Sequence, residues 1–195
     1  MKNVLAGLNN IDVYREADDI DIGFYLKRFL KPGQSQAYHY RLFSERRGTA
    51  GKSNYYSASF VSGLVSPAIY LDAEYNFLLV VRKNLLMASP IALIGFDFDC
   101  NSKTLTIQQI QGSPFVKDYL SAIRWERMLV AIVVDWSKSY GVRLIEIISS
   151  EQSPWYKLET GGVRERMYMH YDVTAKRSGF RLNEETGRYR LPLSE

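Results

Sequence analysis

The sequence predicts one α/β domain in which strands and amphipathic helices alternate, and two stretches support this prediction. Residues 93–112 alternate apolar and polar side chains in two strands around a polar loop. After them, a stretch with helical spacing leads into residues 142–148, an almost continuously apolar strand of the kind that is buried on both faces. No linker or repeat interrupts the 195 residues, so we expect a single domain over residues 1–195.

The N-terminal part is predicted to contain a strand, two helices and two further strands. Residues 11–14 alternate like a short strand. A helix with acidic residues before it ends at Pro32-Gly33, and its apolar positions have helical spacing: Ile22, Leu26, Phe29 and Leu30. Ser35 is a candidate cap for a second helix that ends near Arg46. Aromatic and β-branched residues then indicate strands at 55–61 and 75–82.

Residues 104–112 contain an interruption of the strand pattern. Leu105 and Ile107 share one face, and the same phase would place Gln109 inside and Ile110 outside. Instead, the apolar series resumes at Ile110, one residue late, which is how a β-bulge is expressed in a sequence. The alternative interpretation is that Gln109 lies at a half-exposed strand end.

The C-terminal part is predicted to contain two helices, a strand and a closing hairpin. A helix over about residues 123–140 ends at Gly141, where glycine suits a helix C-terminus, and the strand 142–148 follows. A second helical stripe from Val163 to Ala175 ends near Gly179. Residues 180–182 and 189–193 flank a polar turn and predict the final hairpin.

Composition limits the class of protein. Hydrophobic residues make up 46% and charged residues 24%, which is ordinary for a globular domain. The net charge of +4 is compatible with an anionic ligand. The single cysteine, Cys100, excludes an internal disulfide, and no apolar run is long enough to span a bilayer. We therefore expect a soluble, cytoplasmic protein that does not bind a membrane.

Several motifs, in this order, resemble the GNAT (acyl-CoA N-acyltransferase) superfamily. The segment from Ile11 to Ala17 is similar to its opening "I-x-x-R-x-A" strand, and Leu93-Ile94-Gly95-Phe96 is similar to its third strand. Residues 104–112 take the place of its bulged fourth strand, and Ser178-Gly179-Phe180 matches a later turn. The resemblance implies a mixed, twisted sheet with flanking helices, whose fourth and fifth strands splay apart. Residues 48–65 then look like an insertion.

The resemblance also implies a function, the transfer of an acyl group from an acyl-CoA-type thioester, such as acetyl-CoA, to an amine. The acceptor would be a small molecule or a peptide. The backbone N–H groups of Ile110, Gln111 and Gly112 would hold the thioester, and Arg124 would contact its phosphates. Glu146 is the candidate general base and Tyr171 the candidate general acid.

Three departures from the family pattern support a rival hypothesis. Ile123-Arg124-Trp125 stands where the family has Gly-x-Gly, and Ala175 stands where many members have a catalytic tyrosine. The fourth strand offers only glutamines where a carboxylate base is often found, Gln108, Gln109 and Gln111. The rival is a catalytically inactive GNAT-like binding or scaffold module.

Other readings concern a different ligand or a metal. Arg41, Arg46, Arg47 and Lys52, flanked by tyrosines, suggest a third hypothesis, single-stranded nucleic-acid binding. His39 and His170 have no acidic or cysteine cluster beside them in the sequence, so we expect no metal site.

Overall fold

The computed structural model describes residues 22–31, 56–62, 77–85, 87–113, 120–121, 123–158 and 162–193. Outside these ranges lie the predicted strand at 11–14, the helix after Ser35 and the proposed nucleic-acid segment from Arg41 to Lys52. No helix in the described ranges is long and apolar enough to cross a membrane.

The predicted helices and strands that fall within the described ranges are present in the predicted order. The N-terminal elements are α1 (Ile22–Phe29), β1 (Tyr56–Ser62), β2 (Phe77–Leu85), β3 (Met87–Asp99) and β4 (Thr104–Gly112). The long helix α2 (Trp125–Ser139) and β5 (Leu144–Ile148) follow. The C-terminal elements are a 3₁₀ turn (Ser150–Gln152), α3 (Pro154–Leu158), α4 (Gly162–Tyr168), a π-helical turn (Met169–Val173), α5 (Thr174–Arg177), β6 (Arg181–Asn183) and β7 (Arg188–Pro192).

Within the described ranges, seven strands form one mixed sheet in the order β1-β2-β3-β4-β5-β7-β6. All neighbouring pairs are antiparallel except β4 and β5, which are parallel because α2 carries the chain back across the sheet. The closing hairpin places β7 between β5 and β6. These pairings confirm the predicted mixed sheet.

The core lies between one face of the sheet and α2. Spacing of three and four residues puts one stripe of α2 against the sheet, and that stripe is buried: Trp125, Met128, Leu129, Ile132 and Val133. The sheet contributes alternate residues of its central strands, Ile94, Phe96, Leu105, Ile107, Ile145 and Ile147. Val130 is fully buried as well, so α2 is covered on more than one side, as its composition predicted.

The irregularity in β4 is a bulge. Gly95 pairs with Gln109 and Phe96 pairs with Ile107, so Gln108 is the extra residue. Ile110 is buried although it lies three residues after Ile107, because the bulge changes the phase of the strand between them; Gln109 is buried as well. The predicted bulge is confirmed.

Strands β4 and β5 separate directly after the bulge begins. They pair only from Thr104 with Leu144 to Ile107 with Ile147, and the rest of β4 has no partner in β5. The predicted splay is therefore confirmed. It leaves a wedge-shaped opening beside residues 108–112, bordered by backbone groups that the parallel ladder no longer occupies.

Candidate functional site

The side chain of Tyr171 fills part of the opening beside the bulge. Its hydroxyl accepts a hydrogen bond from the N–H of Ile110 at 3.3 Å and donates one to the carbonyl of Gln108 at 3.2 Å. The residue is buried, with 5% of its surface exposed. Sequence reasoning placed Tyr171 and Ile110 in one site, and the structure brings them into direct contact.

A π-helical turn and a buried carboxylate position Tyr171. The turn widens the helix by one residue around Tyr171, and such turns are frequent at functional sites. Next to it, Asp172 accepts hydrogen bonds from the hydroxyl of Tyr189 and the N–H of Ser150, both at 3.0 Å. Burial, followed by the hydrogen bond to Asp172, raises the pKa of Tyr189. Asp172 thereby anchors the helix to β7 and to the 3₁₀ turn after β5.

A cavity of about 450 Å³ lies between the start of α2 and the helical segment 162–177, and we call it the basic cavity. Five of its lining residues are cationic: Lys31, Arg124, Arg127, Arg166 and Arg177. Glu126 is the only acidic residue among the lining residues that the structure describes. Because like charges repel, this arrangement is suited to an anionic ligand.

Arg127 is the most constrained of these cations. Its guanidinium lies over the ring of Phe29, 5.9 Å from the centroid. Its Nε is buried and has no hydrogen-bond partner within the described ranges. Burial, then the nearby charges of Arg124, Arg177 and Arg28, lowers the pKa of Arg127. The side chain therefore carries a buried donor and unrelieved repulsion, two costs that an anion would offset.

Glu126 and His170 form a pair inside the same cavity. The His170 Nδ1 lies 2.9 Å from Oε1 of Glu126. The imidazole also packs beside the indole of Trp125, with ring centroids 5.3 Å apart. The carboxylate thus fixes the orientation of the histidine ring.

Packed side chains and internal hydrogen bonds fill the region around Ile123 and Arg124, which corresponds to Gly-x-Gly in the GNAT resemblance. The N–H of Ile123 donates to the carbonyl of Leu120, and the N–H of Arg124 donates to the carbonyl of Phe29 at 2.9 Å. A Cβ on Gly112 would lie 2.9 Å from the side chain of Leu120 and 3.0 Å from Trp125. Side chains and internal hydrogen bonds therefore occupy the region that a backbone phosphate cradle would need.

Glu146 lies on the sheet face opposite Ile145 and Ile147. It is buried, and its two carboxylate oxygens accept from Arg188 at 2.9 Å and Arg190 at 2.7 Å. This is the common alternative to a catalytic carboxylate, an ion pair with arginines of a neighbouring strand. Its role as a general base stays a prediction.

Sequence reasoning missed the joint position of the basic residues and the Glu126–His170 pair. One signal was available. Arg166, His170 and Arg177 recur at intervals of four and seven residues, which places them on one side of a helix, next to the apolar stripe that was recognised. Their meeting with Arg124 and Arg127 across the cavity depends on how two helices pack, and no local pattern encodes that. Among the described residues, no group of three or more His, Cys, Asp or Glu could hold a metal ion.

No protein-family model and no curated protein matches the sequence. The structure is similar to solved acetyltransferases. A GNAT family N-acetyltransferase from Escherichia coli, solved with CoA, aligns over 60% of this chain and 59% of its own, less than two thirds of its length, with 12% identity and a TM-score of 0.38. An IAA acetyltransferase from Bacillus cereus aligns over 71% and 99%, with 14% identity and a TM-score of 0.45. AtaTR bound with AcCoA aligns over 71% and 94%, with 11% identity and a TM-score of 0.46.

The fold of this chain is GNAT-like. Its own topology agrees with the sequence resemblance in three features: the mixed sheet, the bulge in β4, and the separation of β4 from β5 at that bulge. The predicted fold is therefore confirmed. Activity does not follow from fold alone and has to be argued from the site.

Proposed function

We propose that the protein transfers an acyl group from an acyl-CoA-type thioester to an amine. The observation that supports the proposal is the position of the Tyr171 hydroxyl, in the opening where β4 and β5 separate. Its oxygen accepts the N–H of Ile110, so the bulge offers a donor directed at an oxygen atom. A thioester carbonyl oxygen that took this position would be held where negative charge develops during acyl transfer.

The proposed reaction uses two groups of the wedge. The amine nitrogen attacks the carbonyl carbon, and the N–H of Ile110 stabilises the resulting oxyanion. The attacking nitrogen gives up its proton to the general base, for which Glu146 is the candidate. The C–S bond then breaks, and the hydroxyl of Tyr171, displaced from the bulge by the carbonyl, protonates the departing thiolate. The adjacent backbone of Gln111 and Gly112 would extend the contact with the donor, as the resemblance implies.

The donor's phosphates would lie in the basic cavity. Arg124 begins the long helix and lines this cavity with four other cations. Guanidinium groups bind phosphates through paired hydrogen bonds, so they can supply contacts that the filled glycine positions cannot. This arrangement answers the main objection to cofactor binding in the sequence, which was the absence of Gly-x-Gly.

Calorimetric titration with acetyl-CoA and longer acyl-CoAs tests the proposal. We expect binding in the micromolar range. We also expect Tyr171→Phe to retain binding and to lower the turnover of a reactive amine about 10²-fold or more. Tyr168→Phe is the matched control, because Tyr168 is exposed on the same helix. A thiol-release assay needs a blank without substrate, since Cys100 is exposed. No heat with any acyl-CoA would overturn the proposal.

The role of Glu146 needs a separate control, because its substitution also breaks two ion pairs. Arg190→Gln breaks one of these pairs and leaves the carboxylate in place. A general base predicts that Glu146→Gln loses turnover and Arg190→Gln retains it. Equal losses would assign the carboxylate to structure alone.

One observation favours the rival, a binding module without catalysis. The N–H groups of Ile123 and Arg124 are already bonded within the protein, so a cofactor cannot use them without rearrangement. A module predicts that ligand binding survives both Tyr171→Phe and Glu146→Gln and that no acyl-CoA is turned over. Turnover of acetyl-CoA by the unmodified protein would exclude it.

A further inference from the structure

In the Glu126–His170 pair, the contact with Glu126 involves only one of the two ring nitrogens of His170. Glu126 occupies Nδ1 of the imidazole at 2.9 Å, whereas Nε2 has no hydrogen-bond partner among the described residues. A carboxylate at Nδ1 favours a proton on that nitrogen, which leaves Nε2 as an acceptor in the neutral ring. His170 is 31% exposed at its side chain and lines the basic cavity, so solvent and ligands can reach it.

Charged groups face this histidine from every element around the cavity. The segment after α1 contributes Lys31, the start of α2 contributes Arg124 and Arg127, and the helical segment 162–177 contributes Arg166 and Arg177. Five cations and one carboxylate, Glu126, therefore line the cavity together with the imidazole among the described residues. An anion bound there would attract an imidazolium and so favour uptake of a proton by the ring.

We propose that the basic cavity binds a phosphate-bearing polyanion together with one proton, which is taken up by His170. The proton comes from solvent and adds to Nε2. The imidazolium then donates from Nδ1 to Glu126 and from Nε2 to a phosphate oxygen of the ligand. This inference rests on the proposed function, which places the donor's phosphates in the same cavity, and adds the coupled proton; its test uses the anion alone and requires no thioester.

Linkage fixes the direction of the pH effect. If the ligand promotes protonation, protons promote ligand binding by the same factor. The polyanion should therefore bind more tightly as the pH falls through the range of about 5 to 8 in which imidazole side chains change charge. Without a titrating group at position 170, this part of the pH dependence should disappear.

Calorimetry with inorganic pyrophosphate tests the inference on the 195-residue chain at pH 6 and pH 8. We expect the wild-type protein to bind pyrophosphate about 5-fold or more tightly than His170→Gln at pH 6, and within about 2-fold of it at pH 8. Pyrophosphate itself gains protons over this range, but it does so equally with both proteins. The ratio of their affinities therefore isolates the histidine.

Two further substitutions separate the binding of the anion from the uptake of the proton. Glu126→Gln removes the only described negative charge of the cavity, so it should tighten binding at pH 8 and reduce the dependence on pH. Arg127→Gln should weaken binding about 10-fold or more at both pH values. Arg181→Gln is the matched control, because it removes the same charge from an exposed position outside the cavity.

Each outcome decides something. Equal pyrophosphate affinities of Arg127→Gln and Arg181→Gln would overturn the anion site. The same pH dependence in wild type and His170→Gln would overturn the coupled proton. Because the probe lacks a thioester, failure of the acyl-transfer proposal would leave both results interpretable.

Discussion

The bulge and the basic cavity are built in opposite ways although they adjoin the same helical segment. At the bulge, the hydroxyl of Tyr171 satisfies the backbone groups of Gln108 and Ile110. In the cavity, Arg127 has a buried Nε without a partner in the described part of the chain, and nearby arginines lower its pKa. The polar groups of the bulge satisfy one another, whereas the cavity keeps a buried donor without a partner among the described residues.

This difference has a consequence for stability. Polar groups that satisfy one another stabilise the native state, and like charges held together destabilise it. Substitutions around the bulge should therefore lower the free energy of unfolding, whereas removal of a cation from the cavity should raise it.

The largest effect is expected for Asp172→Ala. The substitution leaves two buried donors, the hydroxyl of Tyr189 and the N–H of Ser150, without their acceptor. Each unsatisfied buried donor costs about 1–3 kcal/mol, so the free energy of unfolding should fall by about 3 kcal/mol. Urea denaturation measures this. Tyr189→Phe removes one donor and should cost less, and a loss below 1 kcal/mol for Asp172→Ala would contradict the anchoring role.

The region around the bulge was largely predictable from sequence, for a physical reason. Strand side chains alternate with a period of two, so one inserted residue shifts the pattern visibly at Gln108 and Ile110. The placement of Tyr171 on an apolar stripe was predictable as well, from the spacing of apolar residues along a helix. The hydrogen bonds of its hydroxyl were not, because they depend on a π-helical turn that no sequence rule identified.

The cavity was much less predictable. Arg124 was proposed as a phosphate ligand, but Arg166 and Arg177 lie about 40 residues or more further along the chain and meet it only through helix packing. The ion pairs of Glu146 show the same limit. Alternation indicated a buried carboxylate, and the register that brings β7 beside β5 then decided its partners. The periodicity of a sequence shows which face of a helix or strand a residue lies on. Its contacts with residues far along the chain depend on the topology of the fold.

Arg127→Met tests whether removal of a cation from the cavity raises the free energy of unfolding. Methionine keeps an apolar stem beside Phe29 but removes a charge that Arg124, Arg177 and Arg28 repel. At low salt and without added anions, the free energy of unfolding should rise by about 0.5–1 kcal/mol, and the gain should shrink in 0.5 M salt, where the Debye length falls below about 5 Å. Arg181→Met should change stability by less than about 0.5 kcal/mol. Lower stability of Arg127→Met at both salt concentrations would contradict the repulsion.

The smallest effect concerns Tyr25, which lies on α1, away from the bulge, and serves as a reference for an ordinary satisfied contact. Its hydroxyl donates to Asp135 at 3.0 Å. Burial, followed by this hydrogen bond, raises the pKa of Tyr25 from 10.0 to about 12. A pKa raised in the folded state means that the native protein holds the proton more tightly, so this contribution is fully present below pH 10 and is lost as the pH rises to about 12.

Tyr25→Phe should therefore reduce stability by about 0.5 kcal/mol at pH 9, where the hydrogen bond is intact. The difference between wild type and variant should shrink steadily between pH 10 and pH 12. Urea denaturation of both proteins at several pH values measures it, and all other titrating groups cancel because both proteins carry them. A difference that stays constant across this range would show that the hydroxyl of Tyr25 does not favour the protonated form in the fold, and the contact could no longer serve as the reference for the other two regions.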